Sequence, residues 1–83
     1  MINRLILKVY EADYEQFEEL QDGNLLKLDD LEIVEISFYH IESIKPVNHL
    51  CCIVTSGSRD YVVAESEESV NAKIEQRMMF KFN

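Results

Sequence analysis

Four residues near the middle of the chain carry side chains that ligate metals or act as nucleophiles: His40, His49, Cys51 and Cys52. A structural zinc site needs ligand pairs spaced as C-x₂₋₄-C or H-x₃₋₅-H, because short loops then bring two donors onto one tetrahedral ion. The two histidines lie nine apart and the cysteines are adjacent, so neither spacing occurs and no metal is expected. A reactive cysteine needs a neighbouring cation or a helix N-terminus to lower its pKa. Cys51 and Cys52 instead stand in the apolar run "LCCIVT", which reads as a strand and where burial raises the thiol pKa. Adjacent strand residues point to opposite faces, so the pair does not bridge to itself. Two cysteines that form no disulfide framework fit a reducing cytoplasm.

The carboxylates are far more numerous. Sixteen Asp and Glu face eight Lys and Arg, for a net charge of −8. All of that excess lies in residues 1–42, and residues 43–83 are neutral. Residues 11–35 hold ten acidic residues and the single base Lys27. A nucleic-acid backbone or an anionic membrane would be repelled, so the expected partner is a protein with a basic surface. Glu15, Glu18, Glu19 and Asp22 are the candidate partner-binding residues. Only Glu35 and Glu42 have apolar neighbours, and neither sits in the apolar setting that acid–base catalysis requires. No G-x-G-x-x-G, P-loop or G-x-S-x-G pattern occurs. A non-enzymatic protein without catalytic residues or cofactor is therefore expected.

A second candidate is the turn Ser56-Gly57-Ser58-Arg59. Two hydroxyls, backbone N–H groups and a guanidinium can together hold a phosphate or carboxylate. Ser56, Ser58 and Arg59 carry the alternative reading, an oligomeric binder of a small anion or nucleotide, of the kind a phage or mobile element encodes.

The elements that must position these groups can be read from hydrophobic period. The 83 residues make one domain with a thin core, since a chain of this size buries only about 60–65% of its unfolded surface. Self-association into a homo-oligomer is expected on that ground. No apolar run reaches the roughly 18 residues of a membrane helix. "MINRLILKVYEADYE" lacks a small-residue cleavage site, so no signal peptide is expected. Leu5, Leu7 and Val9 alternate with Ile6 and Lys8, giving a strand over 2–10. Residues 13–22 change to helical period, with Asp13 as N-cap, Gln16 in capping-box position and Gly23 just past the end. Tyr14, Phe17 and Leu20 form the stripe expected to face the sheet. "LLKL" reads as a short optional strand broken by Asp29-Asp30. Val34, Ile36 and Phe38 make a half-buried strand over 31–39, followed by a bend or bulge near 40–42 and a strand ending at Pro46. "LCCIVT" and "DYVVA" flank Ser56-Gly57-Ser58 as a hairpin. Ser66 caps a helix over 67–79 with Glu67 and Glu68 in its first turn and Val70, Ile74 and Met78 as its apolar stripe. The fold class is α+β: a small, mainly antiparallel sheet or partly open barrel with both helices on one face.

The residues Ile41, Ile44, Thr55, Gly57, Tyr61, Val62, Val63, Glu65, Ser66, Val70 and Ile74 form a pattern of their own. An I-x-x-I element leads to a strand ending in Thr, a turn glycine, a Tyr-Val-Val strand, a Glu-Ser step and a helix with Val and Ile spaced by four. Over roughly residues 40–75 this resembles the FlbD-like family of small bacterial proteins linked to flagella and swarming. The resemblance implies a small β-rich fold with no known enzymatic activity. The acidic N-terminal half has no counterpart in that family.

Overall fold

The computed structural model describes residues 6–82, with side chains described as far as Gln76. Residues 2–5 of the expected first strand, Leu5 among them, and the Met78 side chain lie outside the described residues. Two helices and five strands follow in the order β1 (Ile6–Glu11), α1 (Tyr14–Gln21), β2 (Glu32–Ser37), β3 (Ile41–Pro46), β4 (Cys52–Ser56), β5 (Arg59–Val63) and α2 (Glu67–Phe82). Short 3-10 turns occupy Leu28–Asp30 and Phe38–His40. The optional strand at "LLKL" is therefore absent. Its leucines fall in a loop and in the first of these turns.

The strands form one open antiparallel sheet in the order β2-β1-β5-β4-β3. The fold is α+β as expected, and the sheet is not closed into a barrel. It is strongly curled all the same, and chain geometry requires this. Its outer strands, β2 and β3, are joined by only Phe38–His40. Five flat strands would hold their edges about 19 Å apart. The four Cα steps from Ser37 to Ile41 span at most roughly 14 Å. The sheet must bend to close that gap, and two features help it. The register shifts between Ile41 and Ser43, which leaves Glu42 as a bulge. The seam between β1 and β5 is narrow, with the single Cα pair Glu11–Val63. The corner is tied down where the Gly57 N–H donates to the His40 carbonyl at 3.1 Å.

Alternation along the strands divides the interior in two. Leu7 and Val9 of β1, Ile36 of β2, Cys52 and Val54 of β4 and Val63 of β5 share a core with Val70 of α2. Ile74 packs against it from the next turn of the helix. Ser66 caps α2 by accepting from the Ser69 N–H at 3.1 Å, and Lys73 fastens it to the sheet through the Lys8 carbonyl at 3.2 Å. On the opposite face Ala12, Leu20, Leu31 and Cys51 form a second core, bordered by Tyr10, Phe17 and Val62. The helices therefore cover opposite faces of the sheet, not one face. The reason is visible in β5, where Val63 faces α2 and its neighbour Val62 faces α1. A sheet with apolar residues on both sides needs a cover on each.

Candidate functional site

Helix α1 forms for local reasons. The Asp13 carboxylate accepts from the Gln16 N–H at 2.8 Å, and the Gln16 side chain accepts from the Asp13 N–H at 2.8 Å, which is a complete capping box. Gly23 ends the helix with φ +91, a conformation that L side chains rarely adopt. Phe17 and Leu20 turn inward, but Tyr14 is 76% exposed, contrary to the expected stripe. It sits on the first turn of an eight-residue helix whose buried contact lies at the other end, at Leu20.

Glu15, Glu18, Glu19 and Asp22 all face solvent. Among the described residues none of the four forms a salt bridge; the ion pairs are Lys8–Glu35, Arg59–Glu11 and Lys73–Glu65. Their spacing puts like charges three and four residues apart, each such pair destabilising a helix by roughly 0.2–0.5 kcal/mol. Glu19 and Asp22 also stand at the negative end of the helix dipole, and the last turn holds no base. This helix is acidic where acidity costs stability.

Two depressions lie beside the Leu28–Asp30 turn, which the Gln16 side chain fastens to α1 by donating to the Asp30 carbonyl at 2.7 Å. The first, about 190 Å³, is lined by Glu11, Asp13, Asp30 and Glu32 with Gln16. Asp13 is occupied as a cap, and Glu11 receives the Arg59 guanidinium at 3.1 Å. The second is a cleft of about 310 Å³ lined by Leu20, Leu25, Leu28, Leu31 and Leu50, with His49 and Glu65 as its titratable groups. Leu25 is 82% exposed and Leu28 54%. Asn48 immediately precedes the cleft residues His49 and Leu50. Its amide donates to the Leu20 carbonyl at 2.9 Å, while its side-chain oxygen accepts from the N–H groups of Leu50 and Cys51. The loop before β4 is thereby held against the end of α1. A cleft of that volume holds about ten waters at liquid density, and an apolar lining gives them few partners.

The turn between β4 and β5 has Gly57 and Ser58 as its two central residues, at φ +57 and φ +68, which is the mirror-image turn that suits a two-residue hairpin. Ser56 is buried and Ser58 exposed. Arg59 is exposed too, but its guanidinium is engaged by Glu11 and stacks 4.3 Å over the Tyr61 ring. The Gly57 N–H is already bonded to His40. The Arg59 guanidinium and the Gly57 N–H are thus committed within the chain.

His40 and His49 are exposed, whereas both thiols are fully buried, in different cores. Burial raises the Cys51 pKa. Burial, with the negative charge of Glu65, Cys51 and Glu67 adding to it, pushes the Cys52 thiol up to about 12. Among the described residues no three His, Cys, Asp or Glu side chains are arranged to hold a metal ion. No described helix is long and apolar enough to cross a membrane.

The chain matches no protein-family model, no curated protein and no solved structure. Its site is therefore read from geometry. The exposed carboxylates of α1 are legible in the sequence; the leucine cleft is not. The one signal for it is the surplus of leucines in "NLLKLDDL", which fits neither strand nor helix period cleanly.

Proposed function

We propose that this chain is a non-enzymatic interaction module that binds a protein with a basic surface through the face built by α1, the Leu28–Asp30 turn and β2. The observation that carries the reading is the mixture on that face. Exposed carboxylates, among them Glu15, Glu18, Glu19 and Asp22, are interspersed with the exposed apolar side chains Tyr14, Leu25, Leu28 and Ile33. A merely solvated face has no use for the second set, and the charge in the first set exceeds what solubility needs. Apolar anchors within a charged surround are the composition of a transient interface. The resemblance of residues 40–75 to the FlbD-like family supports the same reading, since that family has no known enzymatic activity.

The test is a charge reversal. Glu15→Lys, Glu18→Lys and Glu19→Lys together should leave the circular dichroism spectrum unchanged, because all three side chains are exposed. A partner captured with the wild-type protein, then purified, should bind the triple variant at least about tenfold more weakly. Its wild-type on-rate should fall as salt rises. Unchanged affinity in the triple variant would reduce the acidic face to solvation.

A further inference from the structure

We infer that the leucine cleft is the apolar half of this docking surface and that its occupant is a basic amphipathic segment of another protein. The inference rests on the reading above and sharpens it to a partner chemistry. The cleft is open, apolar and flanked by carboxylates on both sides in sequence. Asp22 precedes it, Asp29 and Asp30 follow Leu28, and Glu32 follows Leu31. Glu65 lines the cleft itself but is already paired with Lys73, so the flanking aspartates and Glu32 carry the uncompensated charge. An occupant that buries an apolar side chain there necessarily brings its neighbouring groups close to negative charge. A lipid anion, a nucleic acid or an acidic peptide is repelled at that point.

The geometry also sets a spacing. Leu20 lines the cleft and Gln16 lines the acidic depression, and the two lie one turn apart on α1. The four-residue step between them rises about 6 Å along the helix. A segment that seats apolar side chains in the cleft and basic ones over Asp30 and Glu32 must carry the two kinds of side chain near each other. A helix does so when its apolar residues recur at i, i+3 and i+4 and its basic residues flank them. A second copy of this chain is a poor occupant, because an isologous contact through this face would set its carboxylates against their own copies.

Three short fluorescent peptides test the inference by anisotropy. One holds leucines and lysines at helical amphipathic spacing, one is a scramble of equal composition, and one replaces its leucines by glutamine. The amphipathic peptide should bind the wild-type protein about tenfold more tightly than the scramble. Leu25→Ser with Leu28→Ser should abolish that difference and leave the glutamine peptide's affinity unchanged. Leu25→Ser alone, at a position 82% exposed, carries the same comparison if the double variant unfolds. Equal binding of amphipathic and scrambled peptides, or an amphipathic affinity indifferent to the leucine substitutions, overturns the cleft assignment. Salt-sensitive binding common to all three peptides would leave the acidic-face reading standing in that case. No binding of any of them overturns both. A wild-type dimer that the leucine substitutions dissociate would assign the cleft to a second copy, and overturns the inference as well.

Discussion

Cys52 shows how little a reactive side chain means without its surroundings. It is fully buried under α2, and burial, reinforced by Glu65, holds its thiol up to about 12. The native protein should therefore resist a water-soluble thiol reagent at pH 8, and both cysteines should react once urea unfolds it. Rapid labelling of native protein would contradict the burial. The same shift fixes the sign of a pH effect. As pH rises above the ordinary thiol range, the unfolded chain loses the Cys52 proton while the folded chain keeps it. Stability that is intact below that range should decline as pH approaches 12. Glu65 has its own role at this scale, since it accepts from the Ser69 hydroxyl at 2.7 Å and pairs with Lys73 at 2.8 Å, which locks the first turns of α2.

At the scale of elements, α1 is the one most dependent on its cap. It is eight residues long, below the length at which a helix is stable alone, and like charges oppose it. The capping box offsets part of this cost, and Gln16 also anchors the Leu28–Asp30 turn. Asp13→Ala should lower stability in urea unfolding by about 1 kcal/mol. Asp13→Asn keeps a capping oxygen and should change it by only a few tenths. Equal losses in the two variants would mean that charge, not capping, holds the helix start. In a domain of this size about 1 kcal/mol is a sizeable share of the total.

At the scale of the whole molecule, the two sheet edges decide whether copies associate. The thin core favours a homo-oligomer. The edges themselves carry features that oppose strand pairing between copies. Strand β2 is six residues long and bears Glu32 and Glu35, both exposed. Strand β3 is bulged at Glu42, exposes Lys45 and ends at Pro46, which has no N–H to donate. With a net charge of −8 adding repulsion, light scattering should give a mass near 9.7 kDa. A mass of twice that value at micromolar concentration would show that the exposed apolar side chains, not the edges, govern association.

Several of these features are legible in the sequence because local physics sets them. Period 2 in "LILKV" and "DYVVA", the Asp13 and Ser66 caps and the outward carboxylates of α1 each depend on residues within a few positions of one another. The features that escape a reading of the sequence depend on partners far apart in the chain. The leucine cleft joins Leu20, Leu28 and Leu50, so it exists only once the loop before β4 lies against the end of α1, where Asn48 bonds the Leu20 carbonyl. Tyr14 follows the same helical period as Phe17 and Leu20, but α1 meets the sheet at its far end and leaves Tyr14 in solvent. Apart from "LLKL" and Phe38, which fall in turns, the sequence alone determined which segments would be strand or helix, because that choice follows from side-chain alternation and hydrogen bonds over a few residues. Only the tertiary structure decided that β2 and β3 are the two edges of one curled sheet and that each helix covers a different face. Strand pairing is chosen by contacts tens of residues apart, and no local period records which strand will be the neighbour.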